Sequence, residues 1–164
     1  MDHFEVFDLP RRLGIDAKSL TAKFLELSRE VHPDRNTSAD AAALGDVQRK
    51  SARVNDAYRV LKDRIARAEY LLELEGVERP EGEAKCPPDL LEEVFTLRES
   101  MMEGDAEAAR AKAKSHLAEA ESSLDRLYAE YDEAADAAVL DRLRKALDRR
   151  RFVAGLVAEA GPAR

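Results

Sequence analysis

REVHPDRN, Arg29 to Asn36, is the stretch where one helical pattern gives way to another. Upstream of it, Leu20, Phe24, Leu27 and Val31 step at i, i+4, i+7 and i+11, which marks one apolar face of a helix starting near Asp16. Pro33 stops that helix, because its ring clashes with the preceding turn and it has no N–H to donate. Downstream, Val47, Ser51, Val54, Tyr58 and Leu61 repeat the same steps over a helix from about Ser38 to Leu61, with small Ala57 beside them. Two singly striped helices joined by a short loop predict an antiparallel hairpin. Its tip displays His32, Pro33 and Asp34. Proline accounts for the turn. The imidazole and the carboxylate either cap nearby backbone groups or serve a partner.

Working outward, helices continue on both sides. Asp2 and Glu5 have capping-box spacing and open a short helix carrying Phe4 and Phe7, which Pro10 is expected to end. A fourth helix carries RIARAEYLLELE and stops at Gly76, which reads as a C′ glycine. VERPEGEAKCPP, Val77 to Pro88, holds three prolines and a glycine and is the best candidate linker. Three more helices follow, over roughly Asp89 to Glu103, Asp105 to Ala134 and Asp136 to Ala158. In the second of these, Ala106, Ala109, Ala113, Leu117, Ala120, Leu124, Leu127 and Tyr131 keep a heptad-like register. The expectation is an all-α chain: a helical hairpin domain over 1–76, a linker over 77–88, and a three-helix bundle over 89–164.

Composition agrees. Charged residues make up 37% and aromatics 5% of the 164 residues, which favours helices with one apolar stripe over strands. The net charge of −7 argues against general nucleic-acid binding. Residues 1–76 hold 13 Lys and Arg against 14 Asp and Glu, whereas residues 77–164 hold 14 against 20, so the acidity sits in the second half. Cys86 is the only cysteine, which excludes an internal disulfide and fits a reducing compartment. No apolar run approaches the ~20 residues of a membrane span, and MDHFEVFDLP lacks the basic start of a signal peptide. A cytoplasmic protein with no membrane partner is expected.

His32-Pro33-Asp34, followed by Arg35 and Asn36, resembles the signature of the J-domain, which lies between two helices and engages DnaK-type ATPase chaperones. The start MDxFxxFxLPxR, the segment SARVNDAYRVLKD and the run RAEYLL (Arg67 to Leu72) narrow the resemblance to the HscB type, over essentially the whole chain. That resemblance implies a co-chaperone of iron–sulfur cluster biogenesis with a J-domain followed by a three-helix domain. It implies no cofactor and no catalysis of its own, only activation of an HscA-like partner ATPase through His32, Pro33, Asp34 and the basic residues Lys23, Arg29 and Arg35. Leu25 and Glu26 stand where many J-proteins carry adjacent basic residues, which points to a dedicated chaperone. The alternative is a J-like interaction module that has no chaperone coupling.

The helix after the expected linker carries two stripes. Leu90, Val94, Leu97 and Met101 form one, and Leu91 and Phe95 lie about 100° around from it, on a line that i+4 steps extend to Glu99 and Glu103. Either the buried face is wide enough to cover both, or the second is an exposed strip of the kind that binds partner proteins. The resemblance implies the latter, a surface for an IscU-like scaffold protein made by Leu91, Phe95, Glu99, Glu103 and Phe152. Phe152 lies off the stripe of Leu143, Leu147 and Ala154, so it is expected to face outward; Glu92 stands where the family often has a second apolar residue.

Other chemistry lacks its residues. His3, His32, His116 and Cys86 show no metal-ligand spacing, there is no glycine-rich phosphate loop, and no serine or cysteine has a base at a suggestive spacing. Arg149, Arg150 and Arg151 form a basic run that reads as a solvated or dipole-complementing face and not as a nucleic-acid site.

Overall fold

The structure is a computed structural model that describes residues 1–31, 41–79, 81–82 and 85–161, with backbone alone for 41–43. Among the described residues there are seven α-helices and no strand. They group into two compact units, Met1–Glu75 and Gly76–Arg164. No helix among the described residues is long and apolar enough to cross a membrane.

The first unit contains α1 (His3–Val6), α2 (Ala17–Glu30), α3 (Ala41–Lys62) and α4 (Arg64–Leu74). Local chemistry sets most of their ends. Asp2 and Glu5 close the capping box on α1, Asp16 accepts from the Ser19 N–H to start α2, and Asp63 accepts from the Ile65 and Ala66 N–H groups to start α4. α1 ends earlier than expected. Phe7 caps it and Asp8 turns the chain with φ 52°, so the break comes at a left-handed aspartate before Pro10 is reached. Gly76, with φ 75°, follows the Glu75 cap of α4 as a C′ glycine does. The expected start of the third helix at Ser38 lies outside the described residues.

α3 is the central element, packing against α1, α2 and α4. Phe24 of α2 stacks on Tyr58 of α3 with ring centroids 4.0 Å apart, and the Thr21 and Tyr58 hydroxyls share a hydrogen bond of 3.2 Å. The buried core is Phe4, Phe7, Leu13, Leu20, Val54, Ala57, Leu61, Ala68, Leu71 and Leu72. The RAEYLL run supplies much of it. Leu71 and Leu72 are fully buried, the Tyr70 hydroxyl accepts from the His3 N–H at 3.0 Å, and its ring stacks on His3. Arg67 is buried and donates from Nη1 to the Leu61 carbonyl, one of the last-turn acceptors of α3 that has no partner within its own helix.

In the second unit a 3-10 turn, Pro88–Leu90, leads into α5 (Leu91–Glu103), followed by α6 (Ala106–Ala134) and α7 (Ala137–Glu159). Gly104 ends α5 with φ 96°, Ala135 ends α6 with φ 48°, and Asp136 caps α7 by accepting from the Ala138 N–H. α6 packs against both α5 and α7. One end of the core joins Leu90, Val94 and Leu97 to Ala109 and Ala113 of α6 and to Val153 and Leu156 of α7. The small α6 residues let the helices approach closely; farther along, Leu124, Leu127, Tyr128, Tyr131, Val139, Leu140, Leu143 and Leu147 are buried. Residues 77–88, expected as a linker, fall within this unit, and Cys86 packs partly buried against its core.

Two expectations for α7 are corrected. Its buried stripe passes from Leu147 to Val153 and Leu156 and leaves Ala154 partly exposed. The arginine run is a set of ties, not a solvated face. Arg149 holds both carboxylate oxygens of Asp89, at 2.9 and 2.7 Å, Arg150 pairs with Glu121, and Arg151 lies 3.7 Å from Asp148.

Candidate functional site

The first candidate surface is the tip between α2 and α3. His32, Pro33, Asp34 and Arg35 lie outside the described residues; the two basic positions on α2 are described. The Lys23 ammonium sits 3.7 Å from Asp8 and 3.8 Å from Glu26, so its charge is partly matched within the unit. Arg29 is exposed in the last turn, where a cation is favoured by the helix dipole. Six residues at roughly 100° each put the two about 120° apart around the helix, so they do not form one patch. Leu25 is 50% exposed beside the exposed Glu26.

α5 carries the second. Its two stripes have opposite fates. Leu90, Val94 and Leu97 are each 4% exposed, whereas Leu91 is 56% and Phe95 76% exposed. Burying the first stripe turns the second away from α6 and α7, and the wide buried face that would cover both is not what the helix adopts. Glu99 and Glu103 are exposed, as is Glu92. None of these three makes an ion pair among the described residues. The other acids of this segment are engaged. Hydrogen bonding from Lys112 and the neighbouring His116 hold Glu93 below the usual carboxylate range, despite some desolvation. Arg149 does the same for Asp89.

Phe152 does not face outward as expected. It is half-buried and packs against the Leu90, Val94 and Val153 core, because α7 is rotated to bury Val153 and Leu156. Its remaining surface lines a cleft of about 470 Å³ with Arg79, Arg98, Arg151, Gly155 and Glu159. Arg98 there donates from Nε and Nη2 to the two carboxylate oxygens of Glu159, both at 3.1 Å. Met102, which sequence reasoning passed over, is 88% exposed. It stands at i+11 from Leu91 and i+7 from Phe95, steps that keep one face of a helix, whereas successive i+4 steps drift around it.

The arrangement is suited to docking. Among the described residues no group of three or more His, Cys, Asp or Glu side chains comes together as a metal site. His116 rests 2.9 Å from Glu93, on the inner side of α5 against α6 and away from the exposed strip. Burial pushes the Cys86 thiol up from its ordinary pKa, which keeps it a poor nucleophile.

The DnaJ domain family matches residues 2–70, and with the α2–α3 pair and the all-helical second unit this defines a J-domain protein of the co-chaperone class. Known proteins narrow it further. A Vibrio vulnificus protein described as a co-chaperone protein HscB homolog is 41% identical over 150 residues, covering 83% of this chain and 86% of that protein. A Vibrio parahaemolyticus HscB homolog is 39% identical over 160 residues, covering 88% of each. The solved structure described as chaperone HscB from Vibrio cholerae superposes with a TM-score of 0.67 at 28% identity, over 98% of this chain and 95% of that one. Human co-chaperone protein HscB, at 24% identity, shares the fold with a TM-score of 0.73 over 98% of this chain and 80% of its own. The chain belongs to the HscB family of J-domain co-chaperones.

Proposed function

We propose that this chain stimulates ATP hydrolysis by a dedicated DnaK-type chaperone of the HscA kind and presents to it an IscU-type iron–sulfur scaffold. The J-domain acts through His32, Pro33 and Asp34, with the charges of Lys23, Arg29 and Arg35 steering the encounter. The scaffold docks on Leu91, Phe95, Glu99 and Glu103, with Phe152 contributing the edge that its packing leaves uncovered. Hydrolysis happens on the partner, so no side chain here performs chemistry, and the setting is the cytoplasm.

The observation that carries this reading is the exposure of Leu91 and Phe95 beside fully used core positions. An apolar side chain left in water forgoes about 1.5–3 kcal/mol of burial, which an interface recovers. The test is steady-state ATP turnover by the cognate HscA-like chaperone, with wild-type chain and with His32→Gln. Wild type should raise turnover, and the variant should not while keeping the same melting temperature. A wild-type chain that binds the chaperone without raising turnover would identify an interaction module without chaperone coupling.

A further inference from the structure

The second unit is acidic, with 14 Lys and Arg against 20 Asp and Glu over residues 77–164. The cleft beside Phe152 has the opposite sign. Arg79, Arg98 and Arg151 line it with Glu159 as the only carboxylate, three cations against one anion in about 470 Å³. Small-molecule sites run from roughly 300 to 1,000 Å³. α7 supplies one wall, where Arg151, Phe152, Gly155 and Glu159 fall within roughly 100° around the helix and about 12 Å along it. The three cations are matched to different degrees. Arg98 holds both carboxylate oxygens of Glu159 at 3.1 Å, the two-point grip of a guanidinium on a carboxylate. Arg151 has less. Its ion-pair partner Asp148 lies 3.7 Å away and gives the same oxygen to Arg144 at 3.0 Å. The Arg151 Nε is buried with no hydrogen-bond partner among the described residues, while 27% of the side chain stays exposed. Arg79 makes no ion pair among the described residues. Gly155 keeps the wall open, since a Cβ there would meet nothing within 4 Å beyond its own stretch of helix.

We propose that this cleft binds a compact organic polyanion, a molecule with two or more carboxylate or phosphate groups on a short apolar body. Arg79 and Arg151 take its anionic groups, and the apolar body lies against the uncovered edge of the Phe152 ring. Glu159 already occupies Arg98, so it acts as an internal competitor: a ligand that displaces it gains a third cation. The charge around the cleft selects for compactness. A nucleic acid or a long acidic segment would also lie across the acidic surface of the unit and be repelled there, whereas a small anion meets chiefly the field of the three arginines. Occupation of the cleft does not require the scaffold-presenting function above. The cleft is open to solvent, so added salt weakens the binding.

The experiment is calorimetric titration of the full chain at low salt with citrate and inorganic pyrophosphate, with acetate as a single-charge control and a hexaglutamate peptide as the extended alternative. Wild type should bind citrate or pyrophosphate at one site per chain and far more tightly than acetate. Arg151→Gln should weaken that binding about tenfold, the scale of one lost charge-assisted hydrogen bond. Gly155→Leu should weaken it at least as much by filling the cleft, and the fold should tolerate it, because leucine is a better helix former than glycine and meets open space there. Glu159→Gln should do the opposite and tighten binding several-fold by freeing Arg98. Thermal unfolding of each variant establishes that it is folded at the titration temperature. Wild type that binds neither citrate nor pyrophosphate at millimolar concentrations overturns the proposal. So does binding that Arg151→Gln and Gly155→Leu both leave unchanged, which would place the anion elsewhere. Hexaglutamate bound in preference to both small anions, and lost in Gly155→Leu, would assign the cleft to an acidic segment of a protein and equally overturn it.

Discussion

Arg67 sits buried where α3 gives way to α4, with Nη1 on the Leu61 carbonyl. The carbonyls of a helix's last turn have no partner in their own helix, and a cation there also meets the negative end of the dipole. Arg67→Met keeps most of the volume and removes the donor. A buried acceptor left without its partner costs about 1–3 kcal/mol, and each kcal/mol lowers the melting temperature of a unit this size by about 4–8 °C. The expected result is a lowered melting temperature with His32-dependent ATPase stimulation intact below the transition. Stimulation lost at a temperature where the variant is folded would instead make Arg67 part of the chaperone surface. The family-like run RAEYLL, from Arg67 to Leu72, therefore stands out in the sequence because the fold needs it: Arg67 satisfies a helix end, Tyr70 holds His3, and Leu71 and Leu72 fill the core.

At the scale of one element, α5 sorts its residues by face. Leu97→Ala on the inner face should cost about 2–5 kcal/mol, the usual range for truncating a buried leucine, whereas Phe95→Ala should leave unfolding unchanged. Phe152→Ala on α7 should fall between, since that ring is half-buried against the same core. Thermal unfolding of the three variants checks the order, and a Phe95→Ala variant as destabilised as Leu97→Ala would place the exposed stripe in the core. Helix ends were legible in the sequence where their chemistry is local, as at Asp2, Asp16, Asp136, Gly76 and Gly104. The inner stripe of α5 was legible for the same reason, because its period is read within one segment. Phe152, Arg149 and Arg150 were not, because their partners sit on other elements and depend on how α7 is rotated. The capped break at Asp8 was missed because a proline two residues later gave a stronger signal. Met102 could have been found by following i+7 and i+11 steps from Leu91 in place of repeated i+4 steps.

At the scale of the whole molecule, the two units carry separate surfaces on one chain, and the proposed function requires that both act in one assembly. A connected pair of sites turns the second encounter into an intramolecular one, with an effective concentration that reaches about millimolar for short flexible connections. The scaffold should therefore help recruit the chaperone only when this chain can hold both. In the full chain, His32→Gln should remove ATPase stimulation and leave scaffold affinity unchanged. Leu91→Ala with Phe95→Ala should do the reverse, retaining stimulation by the co-chaperone alone and losing the extra stimulation that the scaffold adds. Mixing the two defective chains distinguishes connection from mere coexistence. If the surfaces must share a chain, the mixture recovers the basal stimulation but none of the scaffold-dependent increment at micromolar concentrations, because each chain lacks one contact. Recovery of the full increment by the mixture would mean that the surfaces work independently, and that covalent linkage of the two units contributes nothing to delivery.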